Sequence, residues 1–138
     1  MTPLFLTTPE LLDEWWDRAA VHLVPVVNEA ARGEFDIFDL YRLCSAKRAV
    51  VAIACDGEAV VLAMVFEFIY YPRLTACNVM ALGGSHLSEV AQAFFVTFKD
   101  WLHSMGVTVI EASCSLAMSR FLGRIGFERT YEVVRLKI

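Results

Sequence analysis

Two adjacent glycines, Gly83 and Gly84, stand directly before the most regular apolar periodicity in the chain, and that junction is built of parts that hold anions. The first amides of a helix have no partner inside it and sit at the positive end of its dipole, and glycines let a phosphate come close to the backbone. The window Leu82-Gly83-Gly84-Ser85-His86-Leu87 therefore has the makings of a phosphate cradle. The same residues also make a plain turn in which Ser85 caps the helix. Glu67 is the second candidate: it interrupts an almost continuously apolar run from Ala59 to Tyr70, so its carboxylate must face a cavity, a cation or a sheet edge. It suits a general base, or a structural acid paired with Arg73 or Arg120. Asn78 and Glu111 are comparable polar intrusions, and Asn78 also suits a bulge. Tyr70, Tyr71 and the pair Trp15-Trp16 suit an acceptor pocket, or core and interface packing. Cys114, beside Ser113, carries a thiol whose ordinary pKa of about 8.5 makes it a modest acid, and it also fits as a small packing residue.

Composition bounds what these residues can serve. At 138 residues, with no Ser/Pro/Gly-rich stretch or charge block, the chain reads as one domain spanning residues 1–138. Hydrophobic residues make up 57%, above the usual share of about 45 to 50%, which predicts a partner-facing apolar surface or a homo-oligomer. The richest apolar run, Ala49 to Phe66, is broken by Asp56-Gly57-Glu58, so no membrane span is expected. The start Met1-Thr2-Pro3-Leu4 lacks a signal-peptide pattern, which predicts a cytoplasmic protein. The net charge of -4 and the lack of any basic cluster longer than Lys47-Arg48 argue against nucleic acid. Cys44, Cys55, Cys77, Cys114 and the three histidines are scattered, so no metal is expected and the first three cysteines read as core.

The elements that must position the candidates follow from capping and periodicity. Thr8-Pro9-Glu10 starts a helix whose stripe is Leu11, Leu12, Trp15, Trp16, Ala19 and Leu23, expected to run only to about Val24 and beyond it to kink or stop, because Pro25 lacks an amide and clashes with the preceding turn. Asp36 caps a second helix to about Ala46. Strands are expected over Ala49 to Cys55, Ala59 to Tyr70 and Leu74 to Leu82, the first two joined by the Asp56-Gly57 turn. Leu87, Val90, Ala91, Phe94, Phe95, Phe98, Trp101, Leu102 and Met105 define the main helix, which Gly106 ends. A parallel strand over Val107 to Ala112, a helix over Leu116 to Arg124 and an alternating terminal strand over Glu128 to Ile138 complete the chain. The fold class is therefore α/β, in the order α-α-β-β-β-α-β-α-β, with helices on both faces of a mixed sheet.

That order, together with the ending Arg120-Phe121-Leu122-Gly123-Arg124-Ile125-Gly126-Phe127-Glu128, resembles the GNAT family of acyl-CoA-dependent N-acyltransferases over nearly the whole chain. Its most specific piece is Leu-x-x-x-Gly-Phe at Leu122, Gly126 and Phe127. The small size, the Tyr71-Pro72 turn and Leu82-Gly83-Gly84 look most like the GNAT-like proteins of tailed bacteriophages. The resemblance implies acetyl-CoA as cofactor, its pyrophosphate on Leu82, Gly83, Gly84, Ser85, His86 and Leu87. It further implies an amine acceptor, Glu67 as base, and Cys114 or water as proton donor to the leaving thiolate. The family motif Q/R-x-x-G-x-G/A appears here without its basic or amide residue and with adjacent glycines. Leu122 stands where the family commonly has an acidic tyrosine, and Leu116 where it often has Asn. The expected function is thus an N-acetyltransferase with a degraded motif. The alternative is an inactive GNAT-like binding or assembly protein, in the host cytoplasm or a virion, with a protein partner or a second copy of itself.

Overall fold

The computed structural model describes residues 2–138. Its elements, in chain order, are β1 (Leu4–Phe5), α1 (Pro9–Ala30), α2 (Ile37–Ser45), β2 (Val50–Asp56), β3 (Ala59–Tyr70), β4 (Thr75–Gly84), α3 (Leu87–Ser104), β5 (Val109–Glu111) and α4 (Leu116–Gly123). The sheet runs β1-β2-β3-β4-β5, antiparallel throughout except that β5 lies parallel to β4. The crossover through α3 makes that parallel pair possible.

Side-chain alternation along β3 assigns the two faces of the sheet. Leu62, Met64 and Phe66 join Phe94, Phe95, Phe98 and Leu102 of α3. Ala63 and Val65 join Leu12, Ala19, Leu23 and Val27 of α1 and Leu40 and Cys44 of α2. Both faces of β3 are therefore dry, which is why its sequence reads as one apolar run rather than an alternating one. On the α3 face the aromatic rings interlock: Phe66 meets Phe98 edge-on at 5.0 Å and Phe5 stacks on Trp101 at 4.0 Å.

The helix starts follow their sequence signals. Thr8 Oγ1 accepts from the Leu11 amide with Pro9 at the first turn. Asp36 and Asp39 form a reciprocal capping box on α2. Ser115 accepts from the Met118 amide at the start of α4.

Four expectations are corrected. First, α1 does not stop near Val24 but runs through Pro25 to Ala30. Proline removes one donor, and the burial of Leu23 and Val27 on either side of it holds the turn in place. Second, β1 was not foreseen; its two residues pair with Ile53 and Ala52, too short to show a period. Third, residues 128–138 form no strand. Tyr131, Val134 and Leu136 are 90%, 88% and 88% exposed there, and an alternating segment becomes a strand only beside an edge that accepts it. The edge available, β5, is three residues long. Fourth, of the first three cysteines only Cys44 and Cys77 are buried, whereas Cys55 is half-buried.

Candidate functional site

The pairing of β4 with β5 ends after Ala76–Val109, Cys77–Ile110 and Asn78–Glu111. Beyond that point the two strands part. Val79, Met80, Ala81 and Leu82 on one side and Ala112, Ser113, Cys114 and Ser115 on the other become opposite walls of a cleft of about 200 Å³. Val26 and Val27 of α1 close it on one face of the sheet, and Phe95, Met118 and Leu122 close it on the other. A bulge accompanies the parting: Val65 faces Ala81 and Phe66 faces Val79, which leaves Met80 as the extra residue on β4. The bulge therefore lies two residues past Asn78, the position expected for it. Bulges re-aim a strand and interrupt its ladder, the change needed where two neighbours separate.

The glycine pair sits inside β4 rather than in a free loop. Gly84 faces Leu62 and Gly83 faces Ala63, and Ser85 N–H donates to the Val61 carbonyl at 3.2 Å. Antiparallel ladders alternate between bonded and open pairs, so Gly83 exchanges bonds with Ala63 while the amides of Leu82 and Gly84 turn away from β3, toward the edge that β5 has left. Among the described residues neither amide donates to a loop or helix carbonyl. Gly83 also lies under α1: a Cβ there would come within 2.2 Å of the His22 carbonyl oxygen. His22 fastens this approach, its Nε2 lying 2.6 Å from the Val60 carbonyl.

Ser85 does not cap α3. The cap position is His86, and no side chain bonds the first turn. The His86 carbonyl takes the Glu89 and Val90 amides, and the amides of Leu87 and Ser88 fall in the first turn, where no helical partner exists. Glu89 stands in the same turn with its carboxylate 3.7 Å from His86 Nδ1.

At the foot of the cleft the register lines up a polar row. Glu67, Asn78 and Glu111 are successive partners across β3, β4 and β5 and so share one face. Asn78 Nδ2 donates to Glu67 Oε2 at 3.1 Å, and the Tyr71 hydroxyl donates to Glu111 Oε1 at 2.7 Å. The partner of Glu67 is thus Asn78, not Arg73 or Arg120. The bond to Glu111, followed by desolvation and the charge of that carboxylate, raises the Tyr71 phenol above its ordinary pKa. Cys114 lines the cleft and is exposed, while desolvation against the wall raises its thiol. Glu67, Gly83, Gly84, Ser85, His86 and Leu87 do not line the cleft, whereas Leu82 and Cys114 do. In sequence Tyr71 reads as an aromatic of a pocket, core or interface; its pairing with Glu111, 40 residues away, leaves no local signal.

No protein-family model and no curated protein matches the chain in sequence. Solved structures do match in fold. A probable acetyltransferase superposes with a TM-score of 0.73 at 15% identity, covering 100% of this chain and 98% of its own. An aminoglycoside acetyltransferase from an uncultured soil metagenomic sample, solved in complex with sisomicin, gives 0.71 at 11% identity over 99% and 95%. A ribosomal-protein-alanine N-acetyltransferase from Brucella melitensis biovar Abortus 2308 gives 0.68 at 14% over 99% and 99%. The chain has the fold of the GNAT acetyltransferases. A fourth such structure, a predicted acetyltransferase from Clostridium acetobutylicum solved with acetyl-CoA, matches at 0.57 and 14% identity over 73% and 71%.

Proposed function

We propose that the chain is an acyl-CoA-dependent N-acetyltransferase that uses acetyl-CoA and an amine acceptor. The observation that carries this reading is the parting of β4 and β5 beyond Asn78 and Glu111, with amides of β4 turned into the gap. The donor set fits the cofactor in kind. A thin apolar slot suits a pantetheine arm, the amides of Leu82 and Gly84 suit its peptide groups, and the uncapped start of α3 beside Gly83, Gly84, Ser85, His86 and Leu87 suits its pyrophosphate. When bound, acetyl-CoA supplies the activated acetyl thioester.

The chain's own residues then divide the proton work. A carboxylate of the polar row accepts the proton that the amine loses, with Glu67, held by Asn78, as the acid singled out from sequence. Cys114, kept protonated in neutral solution by the raised pKa of its thiol, donates to the departing sulfur from the cleft wall. No hydroxyl stands at Leu122, which is buried.

The placement of Cys114 yields a direct test. A maleimide at about pH 7.5 alkylates Cys114 ahead of Cys44 and Cys77, whose thiols burial pushes up to about 12. Acetyl-CoA at about ten times its Kd slows the labelling of Cys114 about tenfold by mass action. Labelling at an unchanged rate would remove the cofactor from this cleft.

A further inference from the structure

We propose that Glu111, oriented by Tyr71, is the carboxylate that meets the acceptor's amino group, and that Glu67 acts behind it through Asn78. This inference rests on the acetyltransferase reading and names the residue that reading leaves open. Three observations place Glu111 ahead of Glu67. It belongs to the last pair before β4 and β5 part, and the next four residues of its own segment, Ala112 to Ser115, form a wall of the cleft. Glu67 lies two strands away on β3, with Asn78 between it and the gap, and its Oε2 is taken by the Asn78 amide. The Tyr71 hydroxyl fixes Glu111 Oε1 at 2.7 Å and leaves Oε2 with no described partner, free to accept from an ammonium group.

Charge supports the same assignment. Among the described residues the ion pairs are Arg42–Asp39, His86–Glu89, Arg129–Glu132 and Arg135–Glu34, so neither Glu67 nor Glu111 is neutralised by a cation. Glu111 is half-buried and Tyr71 exposed, so a solute reaches the pair from solvent. An alkylammonium docking there gives one proton to Glu111 and becomes the free amine. Its nitrogen then bonds to the acyl carbon as the carbon–sulfur bond breaks, and the sulfur takes a proton from Cys114 or water. The second proton, shed by the nitrogen as it becomes an amide, restores that donor through solvent, and Glu111 returns its own proton to solvent. Tyr71 is a positioning residue in this scheme. Its raised pKa makes it a poor acid, and its hydroxyl is committed to the carboxylate.

The test uses butylamine as the acceptor probe on the full chain, followed by NMR without cofactor and by CoA release with acetyl-CoA. In the wild type, butylammonium shifts the resonances of Tyr71, Asn78 and Glu111. Glu111→Gln weakens that binding about tenfold or more, as loss of a charge-assisted hydrogen bond does. It also lowers kcat about 100-fold, while acetyl-CoA binding stays at the wild-type value. Glu111→Asp restores part of the activity. Tyr71→Phe raises KM more than it lowers kcat, and Glu67→Gln has a smaller effect than Glu111→Gln on both. Amine binding unchanged in Glu111→Gln, or a larger loss in Glu67→Gln, overturns the assignment. Acetyl-CoA binding with an amine site indifferent to Glu111 sinks this inference alone; absence of acetyl-CoA binding sinks the acetyltransferase reading with it.

Discussion

Gly83→Ala lowers the stability of this protein by about 3 kcal/mol, the upper end of overpacking costs, and its melting temperature by about 10 °C. Gly83 has no left-handed backbone conformation to lose, so the effect is steric. The added Cβ lands 2.2 Å from the His22 carbonyl oxygen and 3.0 Å from Val26 Cγ2, and α1 must move off the sheet to admit it. The neighbouring glycine behaves alike for a different reason: a Cβ on Gly84 comes within 2.3 Å of the Val61 carbonyl oxygen, inside the β3–β4 ladder itself. Gly123→Ala is the control. It lies in α4 with nothing within 4 Å of the new Cβ, and alanine there stabilises the helix by up to about 1 kcal/mol. Thermal melts of the three variants check the ordering; Gly83→Ala melting with the wild type would mean that α1 does not lie against β4 as described.

The second large effect is on the cleft. Ala112→Trp lowers acetyl-CoA affinity about 100-fold or more while costing about 1 to 2 kcal/mol of stability. Ala112 is the first residue of the β5 segment beyond the last pair with β4, and it lines the cleft together with Leu82 and Val79, packed against the apolar cluster that holds both. An indole there occupies the gap of about 200 Å³ into which the amides of β4 turn. Far-ultraviolet circular dichroism reports whether the fold is kept, and equilibrium titration reports affinity. A folded Ala112→Trp protein with wild-type affinity would place the cofactor elsewhere.

Much of the architecture was legible because its signals are local. Thr8-Pro9-Glu10 and Asp36 announce two helices through their caps, Asp56-Gly57 announces a hairpin, and the period of Leu87 to Leu102 announces α3. What failed to show was decided by partners far along the chain. Pro25 is a breaker by itself, yet the packing of Leu23 and Val27 on the sheet carries the helix past it. The alternation of Glu128 to Ile138 describes one half of a ladder and says nothing of whether another half exists. For the site, Gly83 and Gly84 read in sequence as a phosphate cradle or a plain capping turn, and their place under α1 stayed hidden, since a glycine needed for close helix approach and one needed for an anion look the same in one dimension. Glu67 was visible because it breaks an apolar run. Glu111 gained its place from register with Asn78 and from Tyr71, both contacts across the sheet.

Calorimetric titration of acetyl-CoA into the purified protein, with Ala112→Trp in parallel, bears most directly on whether the gap between β4 and β5 is a cofactor site. Saturable binding with a Kd of about 1 to 100 μM in the wild type, lost in the variant, is the expected result. No heat from either protein up to about 1 mM acetyl-CoA would contradict it.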